Sequence, residues 1–439
     1  MRRRGWMWVG SAGLVAVLAA GLLVWRPWTA PGPCETALTP TGRIPSGAPL
    51  ADVAEPEALR VLDAPSAPFG PARTAIAGTR TPQLTVGGVV VGRAGDDVVG
   101  AVDAGTGGRL WAFEQNGTSY GGAHVGSGLV LLQHPDGSAP TAVDIGLETG
   151  EVRGCTVLGD VGAAPSGTAV AVANRAVVLL RWPTPRQGVL TLVDPTRPEP
   201  VWTREVDLGQ SFRYGRAAGD TIVFGAAGPD STSAWELVTD PRGGLEPGSL
   251  RLYAFSGADG TPLWDYGHED FAQQLVATTA EEVVVRSTRH DEARGVFENR
   301  IAVLDARTGE ERWSADLPDS SPTYYEQAAL YGDVLLTSDS DPRRGTHAYL
   351  TARDLAGGER LWRIENRATE LDTSAVVGDL ALLPGRSQRG LEVVDLRTGE
   401  SRTAFDGVSV TRVTADGTGI GLEVLLGGEP ALVTYDRPR

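Results

Sequence analysis

The sequence predicts an all-β protein: a closed ring of eight four-stranded antiparallel blades, preceded by one N-terminal transmembrane helix. Three observations lead there. The motif Ala101–Trp111, AVDAGTGGRLW, returns down the chain in increasingly worn copies. Each copy lies between short alternating apolar runs, and Gly5–Trp25 holds no charged residue. Self-similarity at intervals of roughly 40 to 60 residues marks a repeat architecture, in which one unit cannot bury its own core and stacked neighbours bury it together.

The second clear copy is Val303–Trp313, VLDARTGEERW, with Asp305, Thr308, Gly309 and Trp313 at the same offsets. Counting eight residues on from an aspartate gives Asp194 with Trp202 and Asp354 with Trp362. Asp395 keeps Thr398 and Gly399 but has Thr403 in place of the tryptophan, while Trp264 is intact with Ser256 in the aspartate slot. A stretched copy runs from Asp144 through Thr149 and Gly150, and a last one reaches Asp436 three residues before the chain ends. The anchors are therefore residues 103, 144, 194, 256, 305, 354, 395 and 436.

An apolar run leads into each anchor and a second short run carries the tryptophan, which is the pattern of a β-hairpin. Asp and Thr hydrogen-bond the local backbone and Gly accepts positive φ, so D-x-x-T-G is a turn with a mechanism, not a catalytic signature. Two further runs precede each anchor, as in Gln83–Val86 and Val89–Gly92 before Val98–Asp103, so one unit is a four-stranded meander. Stacked radially, such units form a β-propeller. Trp111, Trp202, Trp264, Trp313 and Trp362 would then be structural, on outer strands facing the gap to the next blade, where their large apolar area dominates the contact.

The repeat resembles the tryptophan-docking unit of the PQQ-like, or quinoprotein-alcohol-dehydrogenase-like, propellers, from about Thr81 to the C-terminus. The resemblance makes a quinone-dependent dehydrogenase the first enzyme to consider. In that group the cofactor lies over the ring centre against adjacent cysteines that form a vicinal disulfide, with a calcium ion and an aspartate base. This chain has no adjacent cysteines, and no motif maps the calcium ligands or the base. The family also has non-enzymatic members, including an outer-membrane-assembly scaffold lipoprotein. No cofactor and no catalytic residue are expected.

The N-terminal region divides in order. Residues 1–4 are read as a cytoplasmic N-terminus and 5–25 as a signal anchor. A helix of that length spans about 31 Å at ~1.5 Å per residue, close to a ~30 Å hydrocarbon core. Arg2, Arg3 and Arg4 precede it and only Arg26 follows, which puts the N-terminus inside and the propeller outside, in a single-pass cell-membrane protein. The competing reading is a cleaved signal peptide, but the small pair Ala19 and Gly21 is followed by Leu22–Trp25 and not by a polar region. Residues 26–56, rich in Pro, Gly, Ala and Thr, form an extracytoplasmic linker arm. The propeller is read as 57–439. Its last unit stops at a third strand, so 57–63, and within it Ala58–Asp63, is expected to return as the closing outer strand and remove an exposed edge.

Cys34 in the arm follows Pro33, a poor fit to a lipidation site. Cys155, in the second unit, is the only other cysteine. An oxidising compartment permits a Cys34–Cys155 disulfide, with two separate thiols as the alternative. Formal charge is −16, and because residues 1–34 hold four arginines and no acid, the remainder is more negative still. Such a surface repels nucleic acid and anionic headgroups. No lysine occurs; arginine fills every basic role.

Function is sought where the loops lengthen. In an outward-numbered blade the second-to-third loop and the connection to the next blade open on one side. The long ones, Arg181–Gly188, Ala226–Gly248, Ser287–Asn299, Ser338–Thr346, Leu158–Ser166 and Ala315–Pro322, nearly all fall there. The longest carries Trp235 and Glu236, and the neighbouring ones carry Arg289, His290, Asp291, Asp339, Asp341, Arg343 and Arg344, the candidate binding residues. Metal sites are not expected. His268-Glu269 lacks a second histidine one turn on, since Ala272 stands there, and Asp339-Ser340-Asp341 lacks the glycine and closing glutamate of a calcium loop. The function read from these features is a membrane-tethered, non-catalytic binding or scaffold propeller with a protein partner at the cell surface. The alternative is a quinoprotein-like dehydrogenase or a small-ligand receptor using the axial funnel.

Overall fold

The computed structural model describes residues 34–436 apart from internal stretches, the longest being 49–60, 159–166, 228–249 and 321–327. It is an eight-bladed β-propeller, each blade an antiparallel meander: blade 1 covers residues 80–115, blade 2 118–157, blade 3 167–206, blade 4 211–266, blade 5 272–320, blade 6 328–365, blade 7 375–404, and blade 8 409–436 with 72–77. The eight anchors fall at or beside the end of each blade's third strand, as Asp103 ends Val98–Asp103 and Asp436 ends Glu429–Asp436. Inner strands follow one another around the axis. The blade cores are aliphatic and continuous between neighbours: Leu192 and Val206 of blade 3 pack on Phe224 and Phe255 of blade 4.

The repeated turn explains the repeated letters. At Asp305, one carboxylate oxygen accepts the N–H groups of Arg307 and Thr308, both at 3.0 Å, and Gly309 N–H returns to the Asp305 carbonyl at 2.9 Å. The glycine answers a second demand. Gly358 sits at φ +73°, and a Cβ there would come within 2.6 Å of the Trp313 ring of the preceding blade. Each docking tryptophan thus lies flat on the next blade's turn. Its indole N–H donates to a carbonyl beside that turn: Trp111 to Leu147 at 2.8 Å, Trp264 to Ala306 at 2.9 Å, Trp313 to Leu355 at 2.6 Å and Trp362 to Leu396 at 2.9 Å. Trp202 lies on Gly260 in the same way, but its buried Nε1 has no acceptor among the described residues. Blade 2 carries Thr156 at the tryptophan's register, opposite Ala142, and its hydroxyl donates to the Arg197 carbonyl at 2.7 Å.

The ring is closed from the N-terminal side, but by a different segment from the one expected. Ala72–Ala77, not Ala58–Asp63, pairs with Glu429–Asp436 as the outer strand of blade 8. Of the expected segment, Val61 and Leu62 form a helical turn whose Leu62 is buried against blade 8, with Tyr435 Oη donating to the Leu62 carbonyl at 3.2 Å. A short apolar run such as ALRVLD suits either conformation. What selects the later segment is a close approach: Gly70 N–H meets the Asp436 carbonyl at 2.6 Å, and a Cβ on Gly70 would lie 2.7 Å from that oxygen.

The arm is more ordered in its pairing than a linker. Leu38–Pro40 adds a fifth strand outside Arg109–Gln115 of blade 1, and Gly47–Ala48 adds one outside Ala72–Ala77 of blade 8. Cys34 and Cys155 form a disulfide with Cα atoms 6.0 Å apart, fastening the arm to blade 2. Residues 5–25 lie outside the described residues, among which no helix is long and apolar enough to cross a membrane.

Candidate interaction face

Four of the six stretches expected as loops on the long-loop side are largely strand, while 226–248 and 158–166 lie almost wholly outside the described residues. Glu282–Asp291 and Val296–Asp305 of blade 5 form one ten-residue ribbon, Val334–Asp341 and Gly345–Asp354 form its counterpart in blade 6, and Ala176–Thr184 with Gln187–Val193 does the same in blade 3. Glu311–Ser320 likewise runs through most of the stretch expected as the blade 5 to blade 6 connection. The correction has a physical cause: the charges that suggested solvated loop are cross-strand pairs. Arg289 stands directly opposite Glu298, and its Nε donates to that carboxylate at 2.9 Å. Opposite charges in register stabilise a ribbon instead of opening it.

Beneath this pair the blade 5 ribbon is polar and buried. Arg286 donates to Asn299 Oδ1 at 3.0 Å, Thr288 reaches the same oxygen at 3.2 Å, and Ser287 donates to Gln273 Oε1 at 2.5 Å. Above it, Arg294 bridges Glu298 and Asp319, and the Asp291 carboxylate accepts the Arg294 N–H at 3.1 Å, closing the ribbon tip. The Arg289 guanidinium sits 4.9 Å from the centroid of Phe271, which enters from the blade 4 to blade 5 connection. His268 packs edge-on between Phe271 and Tyr266. Burial, and then the neighbouring Glu311 carboxylate, push the Tyr266 phenol up to about 12, so it remains a hydrogen-bond donor, and it donates to Glu311 at 3.2 Å.

Blade 6 carries an arginine over an aromatic ring too, but on its third and fourth strands. Asp339 is a buried strand residue, accepting Thr337 Oγ1 at 2.9 Å and Thr351 Oγ1 at 2.5 Å. Arg363 lies over the Tyr349 ring at 4.0 Å, with its Nε 3.8 Å from Asp339. The structure therefore brings Arg289 and Asp291 together at one ribbon tip and turns Asp339 inward, where it orients Arg363. His290 lies opposite Phe297, and Asp341 opposite Gly345. Trp235, Glu236, Arg343 and Arg344 lie outside the described residues. Phe271, Arg294, Glu298, Tyr349 and Arg363 were not singled out in the sequence, and no shared spacing marks them: Phe271 and Arg289 lie before the first strand and in the second strand of blade 5, Tyr349 and Arg363 in the third and fourth strands of blade 6. Among the described residues, no group of three or more His, Cys, Asp or Glu is placed to hold a metal ion.

A separate groove of about 520 Å³ opens on the perimeter between blades 3 and 4, lined by Arg204, Val206, Tyr253, Phe255, Leu263 and Asp265. It is the wedge between outer strands, and burial raises the Tyr253 phenol there.

Eight blades, docking tryptophans seated on glycine turns and closure by an N-terminal strand define a PQQ-like propeller. The chain belongs to that family: the family model described as outer membrane protein assembly factor BamB matches residues 186–418. Among solved structures, quinohemoprotein alcohol dehydrogenase from Comamonas testosteroni is 13% identical, with a TM-score of 0.52, over 92% of this chain and 80% of that one. The computationally designed Ika8 protein is 13% identical, with a TM-score of 0.53, over 82% and 98%. BamB from Moraxella catarrhalis is 13% identical, with a TM-score of 0.49, over 82% and 98%. At these identities the likeness is one of fold. No curated protein matches the chain.

Proposed function

We propose that the protein is a membrane-tethered, extracytoplasmic scaffold propeller that performs no chemistry and binds a protein partner at the cell surface through the ribbon face of blades 4 to 6. The observation that carries this reading is the pair of arginines held over aromatic rings, Arg289 over Phe271 and Arg363 over Tyr349, in a chain of formal charge −16. Arginine and aromatic residues supply most hot spots in protein interfaces, and a pre-ordered side chain loses less entropy on binding. The family model, named for an assembly factor, supports a binding role. The dehydrogenase alternative finds no adjacent cysteines here, and both cysteines are already joined to each other across the arm. The partner surface that suits these guanidiniums carries carboxylates among apolar groups.

The experiment is affinity capture of partners by the full-length chain from native membranes, comparing wild type with Arg289→Ala/Arg363→Ala and with Trp235→Ala. Loss of one specific co-purifying protein, with melting temperatures nearly unchanged, supports the reading. Unchanged capture by all variants removes it, and stoichiometric PQQ retention with dye-linked alcohol oxidation replaces it with the dehydrogenase.

A further inference from the structure

The arm's fastening determines which rim of the ring faces the bilayer. This inference rests on the reading of residues 5–25 as a retained membrane span. From Cys34 the arm runs backward around the perimeter, across blades 2, 1 and 8. Cys34 is bonded to Cys155 in the outer strand Val152–Val157 of blade 2. Ala37 is fully buried and its carbonyl accepts the Asn116 N–H at 3.1 Å. Leu38–Pro40 pairs along blade 1, and the Thr41 carbonyl accepts Arg109 Nη2 at 2.8 Å. Gly47–Ala48 then reaches blade 8. The chain segment that comes from the membrane therefore first meets the propeller at the rim of blade 2.

We infer that the Cys34–Cys155 disulfide holds the blade 2 rim toward the membrane and keeps blade 6, diametrically opposite in an eight-membered ring, away from it. The magnitudes decide this. Residues 26–33 alone separate the span from Cys34, and fully extended they reach about 29 Å at ~3.6 Å per residue. Four strands on each side of the axis, spaced ~4.8 Å apart, make the ring at least about 38 Å across. The tether is shorter than the ring is wide, so the blade 6 rim cannot take the membrane-proximal place. Without the disulfide the first fixed point becomes the buried Ala37. The tether then lengthens to residues 26–36, about 40 Å, which exceeds the width of the ring, and the ring is free to turn over. The oxidised arm thus presents the Arg363 and Arg289 sector outward, where a partner anchored elsewhere can reach it.

The test uses the full chain in phosphatidylcholine vesicles that carry a headgroup-attached acceptor dye. A donor is placed through Glu148→Cys in the blade 2 hairpin or through Glu359→Cys in the equivalent hairpin of blade 6, both exposed and on the same face. A ring lying flat holds these two sites equally far from the bilayer. The inference expects about threefold or greater transfer from residue 148 over residue 359, given the tether and ring lengths above, and a ratio falling toward one in the Cys34→Ser/Cys155→Ser background. Equal transfer from both sites in a chain that resists alkaline carbonate extraction overturns the inference alone. Release of the chain by carbonate overturns the membrane reading beneath it.

Discussion

Trp313 of blade 5 rests on Gly358 of blade 6, and the same indole donates its N–H to the Leu355 carbonyl at 2.6 Å. One tryptophan thus joins two blades by area and shape against Gly358 and by a hydrogen bond to Leu355. Truncation of a packed tryptophan to alanine costs about 3–5 kcal/mol, and Trp313→Ala is expected to fall in that range by denaturant unfolding. Gly358→Ala should also destabilise, because the turn needs positive φ and the added methyl meets the ring. A Gly358→Ala protein as stable as wild type would contradict the docking geometry.

The tryptophans are not equivalent, and phenylalanine separates them. Trp111, Trp264, Trp313 and Trp362 each lose a hydrogen bond on becoming phenylalanine, about 1 kcal/mol beyond the lost area. Trp202 has no acceptor for its buried Nε1 among the described residues, so Trp202→Phe removes an unsatisfied donor and should be the mildest of the five. A thermal melting series orders them, and a Trp202→Phe protein that melts earliest refutes the distinction.

The disulfide spans 121 residues of sequence. By loop-closure entropy a cross-link of about 100 residues restrains the unfolded chain by roughly 4.7 kcal/mol, an upper figure for the effect here. Calorimetry with and without reductant should show a lower melting temperature for the reduced protein. Cys34→Ser and Cys155→Ser, singly or together, should match it. A single variant that melts like the oxidised wild type would show that the arm contributes nothing to stability.

Acid lability is expected from the hairpin aspartates. The Arg312 guanidinium and then the Thr308 N–H hold the Asp305 carboxyl down to about 2, and the Asp395 carboxyl is lowered by the Thr398 N–H. A depressed folded-state value stabilises the protein above the ordinary carboxylate range near 4, and the benefit disappears as pH falls from about 4 through 2. Asp305→Ala should therefore melt below wild type at pH 7, and the gap should close toward pH 2. A gap independent of pH would place the aspartate's role outside its charge.

The parts legible in the sequence are those written in contiguous letters. Asp305, Thr308, Gly309 and Trp313 make a hairpin from neighbours, and counting such hairpins counts blades. What was hidden depends on distant contacts. Ala72–Ala77 has weaker strand character than ALRVLD, and only the passage of Gly70 across the Asp436 carbonyl selects it. The blade 5 ribbon reads as a loop in sequence because Arg289, His290 and Asp291 look solvated until the register sets Arg289 against Glu298. Phe271 and Tyr349 acquire a role only when an arginine from another strand lies over each.

The central claim is that one face of the ring engages a protein. Ala293 at the blade 5 ribbon tip and Arg307 in that blade's opposite hairpin are both exposed, at the two ends of the strand Val296–Asp305. A photoreactive residue placed at each in turn, in the full chain in living cells, reads the two faces separately. The account predicts a discrete cross-linked protein from position 293 and none from position 307; cross-linking from position 307 alone would contradict it.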